Sequence, residues 1–131
     1  MLFRSEPTGT FFPKLTAGQV SLAEFGWAPT PDAYFTLNAV LHSYGPNGAG
    51  NFNGGRYSNP ELDKLIDAIR NEPDLTRRRA MVTTALRMAS DDLPMLPLFR
   101  RQLTWALVKP LSAVQWPSDV MELRFLRIKS N

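Results

Sequence analysis

The chain contains no cysteine and only one histidine, His42, among its 131 residues. Without cysteine there are no disulfides, zinc–thiolate sites or thiol catalysis. A lone histidine near the end of a predicted helix is more often a surface group or a partner of the helix dipole than a ligand. We therefore expect no metal site and no cofactor.

Recognisable catalytic and phosphate-binding motifs are also missing. The eight glycines form neither a Walker spacing nor a strand-GxGxxG-helix arrangement, and no GxSxG elbow is present. The adjacent carboxylates Asp91 and Asp92 point about 100° apart on a helix, which is unsuitable for a catalytic pair. No apolar run is long enough to cross a bilayer. We expect neither an enzyme nor a membrane-embedded protein.

The charge balance is mildly basic, with 15 Lys and Arg against 12 Asp and Glu. The basic residues are scattered, apart from a cluster at Arg77, Arg78 and Arg79 and a pair at Arg100 and Arg101. A small nucleic-acid or anionic-surface binding domain is therefore the alternative function. A solvated helix face explains the triple arginine without such a partner, so we expect no nucleic acid to bind.

Two consecutive helices are predicted between residues 59 and 93. Asn59 is a good N-cap, Pro60 suits the first turn, and an apolar stripe follows at every third or fourth position. Asp74 caps the second helix, whose wider apolar face predicts deeper burial than that of the first. Another helix is predicted from Asp32 to about Ser43, and the Gly- and Asn-rich segment 44–56 is predicted to be a long loop.

Four segments have the apolar character of strands. We predict a central strand over 19–27, strands over 95–99 and 103–108, and a half-buried strand over 121–128, whose apolar residues mostly alternate. The segment 8–15 is predicted to be a loop or a short helix on the surface of the sheet. The expected fold class is α/β, a mixed sheet flanked by helices.

The segments RYSNPELD, from Arg56, and DDLPMLPLF, ending at Phe99, carry a family resemblance. The chain resembles the C-terminal part of the family 5 extracytoplasmic solute-binding proteins, the binding subunits of peptide, nickel and related ABC importers. The matching series is ordered and covers nearly the whole chain. Its members are Phe12 to Leu15, Gly26, Trp27, Tyr57 to Glu61, Asp63, Asp74, Arg78, Asp92, Pro94, Pro97, Leu98 and Val108 to Pro110.

The resemblance implies a two-lobed, type II-like periplasmic-binding-protein fold, of which this chain supplies the C-terminal portion of the second lobe. Residues 6–110 would form part of that α/β lobe, and 111–131 would be strands returning to a first lobe that this chain lacks. We expect residues 1–5 to be a non-native leader, because Leu2 to Ser5 can be produced by translating a common sequencing adapter. The full-length protein is expected to be monomeric and periplasmic or otherwise extracytoplasmic.

The implied function is to capture an oligopeptide or another small polar solute and deliver it to ABC permease subunits. The segment after Trp27 faces the cleft in this family, and Trp27 either contacts the solute there or caps the sheet in the core. Peptide-binding members carry an aspartate at the position of Thr30, which a neutral hydroxyl does not replace as a partner of an ammonium group. Asp32 either substitutes for it or is an N-cap, and Gln102 falls where some members have a cleft-facing side chain.

Overall fold

The computed structural model describes residues 4–28 and 30–128. Two compact units divide the described residues: the first contains 4–25 and 31–96, and the second contains 26–28, 30 and 97–128. The first three residues of the predicted leader lie outside the described part. The division of a larger protein into residues 6–110 and 111–131 remains a prediction.

The first unit is helical. It contains α1 (Thr8–Thr16), α2 (Ala33–Thr36) continued by a π-helical turn (Leu37–Leu41), α3 (Pro60–Asn71) and α4 (Leu75–Asp92). Of the two options predicted for the segment 8–15, a loop or a short helix, the structure has the helix. The predicted helix from Asp32 also forms, with its second half in π-helical geometry.

The packed centre of this unit lies around α3. Three side chains of its apolar stripe, Leu62, Ile66 and Ile69, are completely inaccessible to solvent. They belong to one buried cluster with side chains of the π-helical turn and of α4. The remaining buried members of this core are Leu37, Val40, Leu41, Ala85 and Ala89.

The ends of α3 follow from local chemistry. Asn59 Oδ1 accepts hydrogen bonds from the backbone N–H groups of Glu61 and Leu62, at 3.1 Å each. Pro60 occupies the first turn, where the N–H that it lacks would have no helical partner. Glu61 and Asp63 place negative charge at the positive end of the helix dipole. The predicted helix and its cap are confirmed.

The second long helix, α4, differs from its prediction in burial. Asp74 caps it as predicted, accepting from the Arg77 N–H at 2.7 Å. Its buried residues are only Ala85 and Ala89, whereas Leu75, Leu86 and Leu93 are 68%, 53% and 64% exposed. The expectation that α4 is more buried than α3 is therefore wrong: α4 encloses only two alanines fully, and Met81, Val82 and Met88 are only partly buried against the same core.

The predicted mixed sheet is not present among the described residues. Segments 19–27, 95–99 and 103–108 are irregular, and the alternating run 121–128 is a 3₁₀ turn (Leu123–Phe125) followed by a two-residue strand. The sheet consists of β1 (Leu111–Ser112) and β2 (Arg127–Ile128), paired antiparallel. Apolar composition alone does not make a strand, because each strand needs a neighbour for its N–H and C=O groups. The fold is therefore α/β only in a loose sense: helix-rich, with a small sheet.

The second unit contains that sheet but no buried residue among those described. Its local contacts include the Trp105 indole N–H, which donates to Asp119 Oδ1 at 2.8 Å, and the rings of Trp116 and Phe125, whose centroids lie 5.7 Å apart. Large apolar side chains remain in solvent, with Phe99 and Val108 more than 70% exposed. This unit has no dry core of its own within the described chain.

We predict that replacing Ile66 with alanine lowers the free energy of unfolding by about 2–5 kcal/mol, because the lost methyl groups leave a cavity in a fully buried site. Urea denaturation followed by helical circular dichroism measures this difference. Leu86→Ala is the matched control. Its side chain is 53% exposed, so its effect should stay within about 1 kcal/mol. Equal effects of the two substitutions would contradict the core as described.

Candidate functional site

The four residues predicted for solute binding fall in different units. Trp27, Thr30 and Gln102 belong to the second unit, and Asp32 belongs to the first. Trp27 is 38% exposed, Thr30 is half-buried and Gln102 is exposed. The structure does not gather them within one unit, and their role in binding remains a prediction.

Asp32 has a well-defined structural position. Its Oδ1 accepts from the backbone N–H of Tyr34 at 2.9 Å, which caps α2. The Arg78 guanidinium on α4 lies against the same carboxylate, with Nη2 2.9 Å from Oδ1 and 2.8 Å from Oδ2. The N-cap interpretation of Asp32 is confirmed, and the ion pair with Arg78 is an addition that sequence spacing could not reveal.

Arg78 links three helices. Its Nε donates to the carbonyl of Ile69 at 2.9 Å, near the end of α3, where the last carbonyls have no partner within the helix. Its Nη2 holds Asp32 at the start of α2. The hydrogen bond from Arg78, aided by that from Tyr34, lowers the pKa of Asp32 from the ordinary value of 3.8. These contacts thus favour the charged form of the carboxylate.

A second polar group fixes the long loop 44–56 through hydrogen bonds at its two ends. Asn53 is only 6% exposed, and its side-chain amide donates to the carbonyls of His42 and Tyr57 at 3.0 and 2.7 Å. Its Oδ1 accepts from the Tyr57 N–H at 3.0 Å. At the loop's beginning, the Ser43 N–H donates to Asp63 Oδ1 at 2.8 Å. The segment predicted to be a loop is thus anchored at both ends.

His42 lies between two carboxylates of α3. Its Nδ1 is 3.5 Å from Asp63 Oδ1, its Nε2 is 3.6 Å from Asp67 Oδ1, and the Ser43 carbonyl lies 2.8 Å from Nδ1. Despite this neighbourhood, no set of three or more His, Asp or Glu residues in ranges 4–28 and 30–128 is arranged to hold a metal ion.

A third group of polar side chains joins the segment just before α3 to the end of α4. The Tyr57 hydroxyl and the Asn59 side-chain amide both donate to Asp92 Oδ2, at 2.5 and 2.9 Å. The hydrogen bond from Tyr57, with that from Asn59, lowers the pKa of Asp92. Burial, reinforced by the same carboxylate, raises the pKa of Tyr57. Tyr57 and Asn59 lie in one of the two segments that carry the family resemblance, and Asp92 lies in the other.

The first unit also has a surface depression of about 170 Å³. Its walls contain both apolar and polar groups, among them Leu15, Val20, Phe25, Phe52 and Asn53. Pockets for drug-sized ligands usually measure about 300–1,000 Å³. This depression is large enough for one side chain rather than an oligopeptide, and none of the four predicted residues lines it.

Comparisons with protein-family models, with curated proteins and with solved structures found no match for this chain. The solute-binding family therefore remains a proposal. Within the part of the chain that the structure describes, no helix is both long and apolar enough to cross a membrane.

We predict that the Asp32–Arg78 pair stabilises the protein at neutral pH and loses its effect in acid. Because the pKa of Asp32 is lowered on folding, its contribution is complete above the unfolded value of about 3.8 and disappears as the pH falls through the lower folded value. Asp32→Asn retains a capping group but removes the charge, so its stability should fall below that of the parent at pH 7. Urea denaturation at neutral and acidic pH should show the two curves converging in acid.

The neighbouring arginines provide the control. Arg77 is 78% exposed and pairs with Glu72 at 3.3 Å, a surface contact worth at most about 1 kcal/mol. Arg77→Ala should therefore be nearly neutral, whereas Arg78→Ala should destabilise the protein. Once Arg78 has been replaced, adding Asp32→Asn should cause little further loss, because the partner of the charge is already gone. A parent and an Asp32→Asn variant that respond identically to pH would contradict the assignment.

Proposed function

We propose that this chain is the C-terminal part of the substrate-binding component of an ABC importer, which captures an oligopeptide or another small polar solute. The ordered series of matching residues carries the proposal, since single dipeptides such as Gly26–Trp27 occur in many proteins. The hydrogen bonds from Tyr57 and Asn59 to Asp92 support it, because they connect two segments of that series that are distant along the chain.

The exposed apolar side chains of the second unit also support a larger protein. Phe99, Val108, Leu123 and Ile128 are each more than 70% exposed, and no described residue of that unit is buried. Many large apolar side chains exposed in one unit are typical of protein that contacts other protein. In the proposed two-lobed protein, residues 111–131 return to the first lobe and have such a contact.

Solute contacts are proposed for Trp27, Thr30 and Gln102, with Asp32 less suited to the task. Both carboxylate oxygens of Asp32 face Arg78, and Oδ1 also caps α2. A ligand ammonium group would compete with a contact that holds three helices. Because Thr30 is neutral, we propose that the solute lacks the free amino terminus that peptide-binding members recognise, or that another group binds it.

The alternative, a nucleic-acid or anionic-surface binder, has weaker support. Of the three consecutive arginines, Arg78 is engaged by Asp32 and the Ile69 carbonyl, and Arg77 contacts Glu72. A continuous basic patch requires several guanidinium groups directed outward. Retention on DNA or RNA that declines steeply with salt would favour this alternative.

We predict that the complete protein encoded at this locus is stabilised by its solute. A solute present at a hundred times its Kd should add about 2.7 kcal/mol to the free energy of unfolding. Thermal denaturation with separate panels of short peptides, amino acids, sugars and nickel complexes identifies the class. A complete reading frame without a first lobe, together with no stabilisation by any panel, would contradict the proposal.

Two substitutions refine this experiment. Trp27→Ala should weaken solute binding, whereas Trp116→Ala is its matched control, since the two tryptophans are 38% and 39% exposed. Thr30→Asp should increase affinity for peptides with a free amino terminus relative to the same peptides after acetylation, because it restores a negative partner. Equal losses for both tryptophan variants would show that Trp27 has no special place in binding.

A further inference from the structure

The anchored loop 44–56 contains the same dipeptide twice, Asn47–Gly48 and Asn53–Gly54. Asn–Gly is the sequence most prone to spontaneous deamidation, because glycine has no side chain to hinder attack by its backbone nitrogen. The two copies therefore differ in reactivity only through their surroundings, which the structure describes for both.

Asn47 and Gly48 are both exposed, and no hydrogen bond of the Asn47 side chain or the Gly48 N–H occurs with the described residues. Gly48 has a positive φ of 81°, and a Cβ added to it would have no heavy atom within 4 Å. The short turn around them is closed by one bond, from the Gly45 N–H to the Ala49 carbonyl at 3.0 Å. The Gly48 nitrogen and Asn47 Cγ, which must approach each other for the reaction, therefore have room to do so.

Asn53 and Gly54 have the opposite environment. The hydrogen bonds of the Asn53 side chain are made inside the protein, and the residue is 6% exposed. The Gly54 N–H, which would be the nucleophile, donates to the Phe52 carbonyl at 2.9 Å. The Leu15 side chain lies directly against Gly54 and restricts movement of its backbone on that side.

We propose that Asn47 is a site of spontaneous deamidation in the folded protein, whereas Asn53 is protected by the fold. The Gly48 nitrogen forms a bond to Asn47 Cγ, the Cγ–Nδ2 bond breaks, and ammonia leaves with the amide proton. Water then opens the cyclic imide at either carbonyl, giving aspartate or isoaspartate. The reaction depends only on the geometry of the loop and not on the proposed function.

Protection of Asn53 has a structural consequence. Deamidation there would replace two N–H donors by a carboxylate facing the carbonyls of His42 and Tyr57, and unpaired buried acceptors are costly. The loop would then lose these two hydrogen bonds to the residues that flank it. At Asn47 the product carboxylate would lie in solvent, so the fold should tolerate it.

The test is incubation of the full chain in mildly alkaline buffer, with and without urea, followed by chymotryptic peptide mapping. Cleavage after Tyr44, Phe52 and Tyr57 places the two dipeptides in separate peptides, and fragmentation distinguishes Asn47 from Asn51. In native buffer Asn47 should react at least about tenfold faster than Asn53, since reaction at Asn53 requires local opening. In urea the two rates should become similar.

The Asn47→Gln variant is the control, because the longer side chain forms the cyclic imide far more slowly. It should abolish the native signal in the peptide 45–52 without changing the far-ultraviolet circular dichroism. Equal rates at Asn47 and Asn53 in native buffer, or an Asn47 that is stable there but reactive in urea, would overturn the proposal.

Discussion

Burial of the α3 stripe is the interaction on which the first unit depends. Leu62, Ile66 and Ile69 lie on one face of a twelve-residue helix and are fully enclosed. A helix of this length is marginally stable in water, so packing rather than intrinsic propensity must maintain it. The π-helical turn and α4 supply the opposing surfaces, and their positions follow from the need to cover this stripe.

Polar side chains then supply hydrogen-bond partners to backbone groups that would otherwise lack them. Arg78 satisfies a carbonyl at the end of α3, and Asn59 satisfies two N–H groups at its beginning. Asn53 likewise forms hydrogen bonds with backbone groups of His42 and Tyr57, which flank the loop before the helix. These contacts specify where elements meet, whereas the apolar stripe supplies most of the free energy. The distinctive sequence pattern around α3 is therefore scaffold, and the proposed solute contacts lie elsewhere.

The candidate site was less predictable than the scaffold. Asp32 could be interpreted from sequence as an N-cap because the cap and its helix are adjacent along the chain. Its partner Arg78 is 46 positions away. The family resemblance selects Arg78 from the three consecutive arginines, but neither the resemblance nor the spacing indicates its contact with Asp32. The same limit applies to Asn53, whose side chain looks like ordinary loop composition until its partners are brought around it.

The sequence by itself determined where three of the helices begin, since N-caps and apolar spacing act over one or two turns. Asn59, Asp74 and Asp32 are examples in which local chemistry was sufficient. Tertiary structure decided how deeply α4 is buried. It also decided that segments 19–27, 95–99 and 103–108 are irregular rather than strands. Strand formation and burial both depend on a partner surface that is distant in sequence, and an apolar segment does not contain information about whether that surface is present.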